Sequence, residues 1–424
     1  MVEDLQGLTC RCCIVGGGPA GMMLGLLLAR AGVDTVVLEK HKDFLRDFRG
    51  DTIHPSTLEA LHDLGLLEDF LKLPHQEATL LQGKVGDVTI PLADFSHVPT
   101  HAKFIAFMPQ WDFLNFIASR AKRYPSFRLL MSTEADGLLY DELYDDQKRV
   151  VGITAKTAEG ALTIRADLTI GADGRHSLVR EEAGFEPNEI GAPMDVLWFR
   201  ISRKEGDPQE MFGRLEAGQM LVLINRGEHW QCGYVIAKGS TNRLRALGIE
   251  KLRETIAALA PFLAGRTGEI QTFDDVKLLT VAVDRLTKWH RPGLLCIGDS
   301  AHAMSPVGGV GINLAIQDSI ATANLLSEAL RGTEPIPDEL LARVQARREW
   351  PAKVTQAIQV FIQKNVIARV LGGTGKIRPP WVVRLFIHFP ILRRLPAGII
   401  GIGVRPERVR SPERESFNPA NRPA

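Results

Sequence analysis

The stretch that decides the fold is RCCIVGGGPAGMMLGLLLARAGVDTVVLE, residues Arg11–Glu39. A short apolar run before the glycines predicts a strand over Arg11–Val15. The apolar residues that follow predict a buried helix over Ala20–Ala31, and the β-branched run Asp34–Leu38 predicts a second strand. This is a strand–helix–strand unit of about thirty residues. Because parallel strands need such crossovers, the chain begins with an α/β layered domain.

Three glycines between this strand and helix form the pattern G-x-G-x-x-G: Gly16, Gly18 and Gly21. The first permits a tight turn, the second lets the backbone approach a pyrophosphate, and the third lets helix and strand pack closely. Glu39 ends the second strand, where a carboxylate accepts hydrogen bonds from ribose hydroxyls and disfavours a 2′-phosphate. The pattern predicts a dinucleotide site and makes NADP a poor first choice for it. The alternative is a glycine turn made only for packing.

Composition limits the class of protein. The chain has 424 residues, of which 45% are hydrophobic and 24% charged, which is typical of a globular protein of two or three domains. These values exclude a disordered chain, a collagen-like repeat and a disulfide-stapled miniprotein. A net charge of +1 gives no global field that favours nucleic acid as a partner.

The cysteines and the N-terminal region indicate a reducing, cytoplasmic compartment. The segment Cys12–Ala29 is uncharged and long enough to span a bilayer, but its GGGPAG motif would break a membrane helix. Met1–Gln6 is acidic, which argues against a signal peptide. The number of cysteines is odd and they lack the second half of a zinc ligand set, so no metal site is expected. They are Cys10, Cys12, Cys13, Cys232 and Cys296.

The middle of the chain has a different character. Strand patterns at Met194–Ile201, Met220–Asn225 and His229–Ala237 predict an antiparallel sheet. The α/β pattern returns at Leu294–Ile297. We therefore predict a discontinuous, three-layer, Rossmann-like domain, an inserted antiparallel-sheet substrate domain and a helical C-terminal cap. The predicted ranges are 1–75 with 101–180 and 275–335 for the first, 76–100 with 181–274 for the second, and 336–424 for the cap.

Two further glycine motifs follow predicted strands. One is GADG at Gly171–Gly174, and the other is GDSAH at Gly298–His302, whose loop continues as PVGGVGIN over Pro306–Asn313. The carboxylate of Asp299 is placed to bind a ribityl hydroxyl. Backbone N–H groups over Gly308–Asn313, at a helix start, are suited to an anionic ring edge.

These three motifs, in this order, resemble the class A flavoprotein monooxygenases of the para-hydroxybenzoate hydroxylase type. The resemblance covers roughly residues 11–330 and implies that FAD binds across the three blocks. Arg49, in FRGDTIHP, is implied near the pyrophosphate; Gln110 matches the polar residue before a helix, although Trp111 is inserted there; Asp173 is implied to serve both FAD and the nicotinamide donor. The implied cofactor-binding residues are Gly16, Gly18, Pro19, Ala20, Glu39, Lys40, Arg49, Gln110, Asp173, Gly298, Asp299, Pro306, Gly309, Gly311, Ile312 and Asn313.

The resemblance also implies the reaction. NADH or NADPH binds transiently and reduces the flavin, which suits the lack of a second G-x-G-x-x-G. Reduced flavin takes up O2 to form a flavin 4a-hydroperoxide, and this species hydroxylates an electron-rich phenolic or heteroaromatic substrate. The cofactor performs the chemistry, while the protein supplies position and a dry pocket.

Four residues are candidates for a catalytic role, and two of them have a simpler alternative. His302 either acts near the flavin or only fixes its loop. His54 is a candidate for the substrate side. Tyr234, on the predicted sheet above the pocket, either polarises a substrate hydroxyl or packs as an aromatic side chain. Pro306 is implied to lie beside the flavin ring.

The C-terminal tail, from Arg378 to Ala424, is rich in arginine and in bulky apolar residues. It fits an interfacial membrane segment, a dimer contact or a cap over the substrate tunnel. Prolines interrupt any long amphipathic helix, so we favour a packed cap with a solvated basic face, which permits surface contact with a membrane without stable insertion. The apolar residues indicate a hydrophobic, multi-ring or alkylated substrate. We expect a monomer or a homodimer.

Two other functions compete with hydroxylation. The same fold serves flavin-dependent halogenases and reductases of polyprenyl double bonds, but the six tryptophans form no W-x-W motif of the halogenase kind. A non-catalytic binding protein on this scaffold would not need all three cofactor blocks. Fold alone does not decide between these functions.

Overall fold

The structure is a computed structural model that describes residues 7–45, 52–141, 148–208, 212–373 and 381–414. The strands in this part of the chain are β1 (Leu8–Val15), β2 (Thr35–Leu38), β3 (Thr52–Ile53), β4 (Gln76–Ala78), β5 (Leu80–Val85), β6 (Val88–Asp94), β7 (Ile105–Phe107), β8 (Phe127–Leu130), β9 (Glu134–Asp141), β10 (Arg149–Thr157), β11 (Gly160–Gly171), β12 (Pro187–Glu189), β13 (Met194–Ser202), β14 (Phe212–Glu216), β15 (Gln219–Asn225), β16 (His229–Ala237), β17 (Lys277–Leu279), β18 (Asp284–Leu286), β19 (His290–Arg291) and β20 (Leu294–Cys296).

The helices alternate with these strands in the first half and dominate the last hundred residues. They are α1 (Pro19–Arg30), α2 (Pro55–Asp63), α3 (Leu67–Phe70), α4 (Gln110–Ala121), α5 (Leu178–Glu182), α6 (Thr241–Ala246), α7 (Ile249–Leu259), α8 (Gly311–Arg331), α9 (Asp338–Ile362), α10 (Ala368–Gly372), α11 (Trp381–His388) and α12 (Arg394–Gly401). None of the described helices combines the length and the apolar character needed to cross a bilayer.

An eight-stranded sheet forms the larger domain. Its parallel strands follow the order β20-β11-β1-β2-β8, while β19, β10 and β9 extend it by antiparallel pairing. Every residue of β2 is buried, as expected for a parallel strand covered on both faces. Helix α1 contacts both α4 and α8, so these three helices form one layer against the sheet. The predicted Rossmann-like domain, built from separate parts of the chain, is confirmed.

A seven-stranded sheet forms the smaller domain, in the order β17-β13-β16-β15-β14-β5-β6. Its pairs are antiparallel except β14 with β5. The predicted range 76–100 does contribute two strands, β5 and β6, to this sheet. The predicted boundary at residue 275 differs from the structure, because β17 pairs with β13 and so belongs to the smaller domain. A strand of three residues is too short to show its pairing in the sequence.

The smaller sheet has two unlike faces. Alternate residues of β13, β15 and β16 point to opposite sides, as the strand period requires. On one side, Phe199, Leu221 and Cys232 pack with helix α7, and we call this side the helix face. On the other side, Val196 and Val235 pack with Val307, which precedes α8, and we call this side the loop face.

The C-terminal region covers parts of both domains. Helix α9 contacts α8 of the larger domain, whereas α11 and α12 contact β6 at the edge of the smaller sheet. Ala397 of α12 is fully buried in a cluster with Phe95 and Phe107. The predicted helical C-terminal region is therefore present, and its last two helices pack at the edge of the smaller sheet.

Candidate active site

The three glycine motifs meet at one edge of the larger sheet. Val15, at the end of β1, is level with Gly171, at the end of β11, and Gly171 is level with Cys296, at the end of β20. Ligands of open α/β sheets bind beyond the carboxyl ends of the parallel strands. Ser300 ties two of the motifs together, since its hydroxyl donates to the carbonyl of Gly171 at 2.6 Å.

The first and last glycines of the G-x-G-x-x-G loop leave no room for a side chain. A Cβ atom on Gly16, whose φ is +111°, would lie 2.4 Å from the carbonyl oxygen of Ala172. A Cβ atom on Gly21 would lie 1.9 Å from the carbonyl oxygen of Gly16. Both contacts are with backbone, which cannot move aside. These are the tight turn and the close packing that the motif predicts.

The middle glycine faces open space instead. A Cβ atom on Gly18 would meet no atom within 4 Å. Gly18 is also the N-cap of α1, where no side chain caps the helix and Pro19 and Ala20 form its first positions. The backbone N–H groups of a helix start favour an anion. This cradle fits a pyrophosphate group, and a side chain at Gly18 would fill it.

The acidic residue expected at the ribose lies beside this loop. Glu39 follows β2 directly, and a Cβ atom on Gly17 would lie 3.0 Å from its carboxylate Oε2. Its Oε1 accepts a hydrogen bond from the backbone N–H of His41 at 3.0 Å. Lys40 is exposed, with its Nζ 3.7 Å from the carboxylate of Glu134. The position of Glu39 fits an adenosine ribose.

The two aspartates of the other motifs have different environments. Asp173 is engaged within its own loop, where its carboxylate accepts from the hydroxyl of Ser177 at 2.5 Å and from the N–H of Val179 at 3.2 Å. Burial raises the pKa of Asp173 despite these bonds. Asp299 lies half-buried in the turn after β20, with its Oδ2 3.7 Å from the guanidinium of Arg175. Asp299 is thus the more accessible carboxylate at this edge.

The loop before α8 is fixed from below by β3 and by the start of α2. The hydroxyl of Thr52 donates to the carbonyl of Gly309 at 3.0 Å, and a Cβ atom on Gly309 would lie 2.6 Å from that hydroxyl. The side-chain oxygen of Asn313 accepts from the N–H of His54 and from the hydroxyl of Thr57, both at 2.8 Å. No side chain caps α8, which begins with Gly311 and Ile312. This loop, from Pro306 to Asn313, fits the anionic edge of a flavin ring.

His54 is held below this loop in its neutral form. Its ring is fully buried, and Nδ1 lies 2.7 Å from the carbonyl oxygen of Ile400, so Nδ1 carries the proton. Nε2 finds no partner among the described residues. Burial lowers the pKa of His54 to about 4, although the bond to Ile400 opposes the shift.

His302 lies in the scaffold. Its Nε2 donates to Asp318 at 2.6 Å, and Arg348 binds the other oxygen of the same carboxylate at 2.9 Å. Asp318 also accepts from the N–H of Gly298 at 3.1 Å, which connects the network to the GDSAH motif. Burial raises the pKa of Asp318, but the interactions with His302 and Arg348 outweigh it and hold the pKa below its ordinary value. The contacts favour the loop-fixing alternative for His302.

Sequence analysis missed Asp318 and Arg348 as residues that support the site. Both are completely buried. The available signal for Asp318 was a single charge within residues 314–323 of α8, which are otherwise uncharged. A buried charge is tolerated only when it is paired. Because Gly298 is one of the groups they hold, we regard both as positioning residues.

Sequence analysis predicts Tyr234 on the sheet above the pocket, and the structure shows which face of that sheet it occupies. Tyr234 lies on the helix face of the smaller sheet, in the cluster that packs on α7, and burial raises its pKa. Its neighbours Gly233 and Val235 point to the loop face instead. Side chains alternate between the two faces along β16, so Tyr234 and Val235 lie on opposite faces. The sequence does not show which of its two faces a strand turns towards the cofactor.

Two other predicted residues need separate mention. Gln110 is buried at the first position of α4. Arg49 lies outside the described residues.

One cluster of potential metal ligands does occur in the described part of the chain, formed by Glu59, His62 and His101. The guanidinium of Arg408 lies 2.7 Å from the carboxylate of Glu59, and the N–H of His101 donates to the same group at 2.9 Å. A bound cation would have to displace the arginine. We therefore interpret the cluster as an ion pair that fastens the C-terminal segment to α2.

Comparison with known proteins identifies the family. A family model described as an FAD binding domain matches residues 9–358. The 6-methylpretetramide 4-monooxygenase of Streptomyces rimosus is 31% identical over 422 residues, which cover 96% of both chains.

Solved structures share the fold. A probable FAD-dependent monooxygenase from Pseudomonas aeruginosa aligns with a TM-score of 0.71 at 20% identity, over 86% of this chain and 98% of that one. The p-nitrophenol 4-monooxygenase of Pseudomonas putida aligns with a TM-score of 0.69 at 20% identity, over 91% and 99%. The glycine and acidic residues of the site fit FAD, the family model matches most of the chain, and the Streptomyces relative aligns with it from end to end. This chain therefore belongs to the class A FAD-dependent aromatic monooxygenases.

Proposed function

We propose that this enzyme hydroxylates a planar, multi-ring phenolic or heteroaromatic compound, with NADH or NADPH as the transient electron donor. Aromatic hydroxylation with FAD is the activity of its family. The size and shape of the substrate are the new element. A row of glycines on the loop face of the smaller sheet carries the proposal.

The row crosses five neighbouring strands. Trp198 is level with Gly233, Gly233 with Val222, Val222 with Gly213, and Gly213 with Gly83. Residues level with one another across paired strands point to the same face. Gly213 and Gly83 leave a shallow trough over β14 and β5, because a Cβ atom on either would meet nothing nearer than 3.6 Å. The indole ring of Trp198 lies over Gly233, 2.9 Å from where its Cβ atom would be, and closes the trough on that side.

Apolar side chains bound this trough at both ends of the strands. On one side Val196 and Val235 pack with Val307, which belongs to the loop before α8. On the other side Ile224 packs with a cluster that includes Ala397 of α12. A flat apolar slot between the FAD loop and the C-terminal helices suits a planar ring system.

Trp198 offers the trough a polar contact. Its indole N–H is buried and has no partner among the described residues. A buried donor without an acceptor is unfavourable by about 1–3 kcal/mol, so a phenolic or carbonyl oxygen of a bound substrate would satisfy it. This donor orients the substrate in the trough.

The protein and the cofactor have separate tasks. When bound, FAD supplies electron transfer from the nicotinamide donor and activation of O2. The chain holds the substrate on the loop face, places it next to Val307 and keeps water out with the apolar clusters at both sides. The relative from Streptomyces rimosus is named for a reaction on 6-methylpretetramide, and the proposed substrate class agrees with that name.

The residues that hold FAD are also proposals. We propose that Gly16, Gly18 and Glu39 hold its ADP half and that Asp299 binds the ribityl chain. The Gly18→Val variant should be purified without flavin absorbance, because its side chain fills the open cradle. Gly7→Val is the control, since Gly7 also faces open space but lies outside the loop. Flavin retained in Gly18→Val would show that the pyrophosphate lies elsewhere.

The trough is tested by filling it. The Gly213→Leu variant should keep its flavin but raise the KM for three- and four-ring phenols at least tenfold, with single-ring phenols little affected. Gly213→Ala is the matched control, because its Cβ would meet nothing nearer than 3.8 Å. Product mass should show one added oxygen atom. Unchanged KM values for large phenols in Gly213→Leu would contradict the proposal.

The compartment and the assembly also remain proposals. All five cysteines are free and buried, which supports a reducing, cytoplasmic environment. We propose a monomer or a homodimer.

A further inference from the structure

The C-terminal region carries an unusual concentration of positive charge. Residues 350–406 contain nine lysines and arginines and no aspartate or glutamate. Because the whole chain has a net charge of only +1, the rest of the chain carries −8. An excess of cations in one region favours an anionic partner there.

The same region exposes apolar side chains at its surface. The turn between α11 and α12 and the first residues of α12 have four of them, which together we call the docking tip: Phe389 (54% exposed), Ile391 (66%), Leu392 (39%) and Leu395 (72%). Exposed apolar residues are normal when they are scattered, but a contiguous group on a turn marks an interaction site.

The docking tip is held on a firm base. Helices α11 and α12 both contact β6, and Ala397, two residues after the tip, is fully buried. The guanidinium of Arg393 donates to the carbonyls of Phe386 and Ile387 at 2.7 and 3.1 Å, which closes the turn. The apolar side chains are therefore presented outward by a packed scaffold.

Cations surround the docking tip. Arg384 and Arg394 are exposed on the helices that flank it. The ion pairs found in the described residues include no carboxylate partner for Arg384 or Arg394, and the guanidinium of Arg394 lies 3.2 Å from a ring nitrogen of His97. An apolar centre with a basic rim is the pattern of an interfacial membrane contact.

We propose that the docking tip inserts into the surface of an anionic lipid bilayer, with Arg384 and Arg394 contacting lipid headgroups. The tip protrudes, so a protein partner would need a matching groove, whereas the boundary between headgroups and acyl chains accepts any apolar protrusion. The positive charge selects an anionic surface. Docking places α12, which borders the substrate trough, next to a store of hydrophobic compounds.

Flotation with lipid vesicles tests the proposal. The flavin-loaded enzyme should float with vesicles of phosphatidylcholine that contain about one third phosphatidylglycerol, and float at least tenfold less with phosphatidylcholine alone, since each cation near an anionic surface changes binding by roughly fivefold. The Ile391→Ser/Leu395→Ser variant should lose at least tenfold in binding. Arg384→Gln/Arg394→Gln should lose binding to anionic vesicles and show a weaker salt dependence.

Leu247→Ser is the matched control, because Leu247 is 61% exposed on a different part of the surface. It should bind like the parent. All variants should keep their flavin and their turnover of a water-soluble phenol, because the changed side chains are exposed. Equal flotation of the Ile391→Ser/Leu395→Ser variant and the parent would overturn the proposal. A second outcome would also overturn it: the parent does not bind vesicles but forms a dimer in gel filtration, and the Ile391→Ser/Leu395→Ser variant does not form that dimer.

Discussion

The two faces of the smaller sheet are built from the same strands but are filled differently. On the helix face, Phe199, Leu221 and Leu223 have no exposed surface and are sealed by α7. On the loop face, Trp198 and Val222 are only half-buried, and glycines replace side chains next to them. Alternate residues of one strand thus face different surroundings: one face is sealed by α7, and the other is the face that we propose holds the substrate.

Removing a large side chain from the helix face should have the largest effect. Phe199→Ala should lower the free energy of unfolding by about 3–5 kcal/mol, because it leaves a cavity in a sealed cluster. Urea denaturation followed by fluorescence measures the change.

Val222→Ala is the matching substitution on the loop face. Val222 lies in the chain between Leu221 and Leu223, which are buried on the helix face. The substitution should cost less than about 1.5 kcal/mol, since the surroundings of Val222 are already partly open. Equal losses in the two variants would show that both faces are packed alike and would break the comparison.

Acid should weaken the structure below the loop before α8 first. Burial lowers the pKa of His54 to about 4 from an ordinary 6.5, so the unfolded chain binds more protons between these values. The free energy of unfolding should therefore rise by about 3 kcal/mol between about pH 4 and 6.5 because of this residue. Above that range His54 should no longer make the free energy of unfolding depend on pH.

Near α7, by contrast, Asp207 is ion-paired with Arg266 at 2.7 Å. Burial raises the pKa of Asp207, but hydrogen bonds from Arg266 and Trp230 outweigh this effect and lower the pKa to about 2. This pair contributes stability that is lost only as the pH falls from about 3.8 to 2. Denaturation curves of the parent and of His54→Gln between pH 4 and 7 separate the two: an identical slope in both proteins would exclude His54 as the source.

Removing the indole N–H of Trp198, which has no acceptor among the described residues, should change the affinity for the substrate moderately. Trp198→Phe should raise the KM for a multi-ring phenol by about five- to tenfold, which corresponds to one lost hydrogen bond, and should leave the flavin in place. Steady-state oxidation of the nicotinamide donor gives both parameters. A KM equal to that of the parent would mean that the indole N–H contacts no substrate.

The smallest effect should come from Tyr234→Phe. Because Tyr234 packs on the helix face, losing its hydroxyl should change kcat and KM less than twofold. A fall in kcat of tenfold or more would restore the catalytic role that the sequence suggested.

Local backbone geometry explains what could be predicted from the sequence. Gly16 and Gly21 sit where any Cβ atom would strike a backbone oxygen, so a glycine is required whatever surrounds the loop. Glu39 comes directly after the apolar run of β2, and the end of that run marks the end of the strand. Such constraints act over a few residues, and motifs report them directly, which is why the cofactor, its blocks and their order could be predicted.

Contacts between distant segments explain what could not. Asp318 joins His302 and Arg348 across three elements, and Gly83 and Gly213 are neighbours only because β5 and β14 pair in this register. Neither the register of strand pairing nor the face that a strand turns inward is written in local residue preferences.

The sequence by itself determined that this protein binds FAD and belongs to a monooxygenase family, since backbone approach to phosphate depends on a few adjacent residues. Only the tertiary structure decided that Tyr234 points away from the loop that precedes α8, that Trp198 points towards it and that the C-terminal arginines surround an apolar tip. These features depend on which segments pack together, and packing is a property of the whole chain.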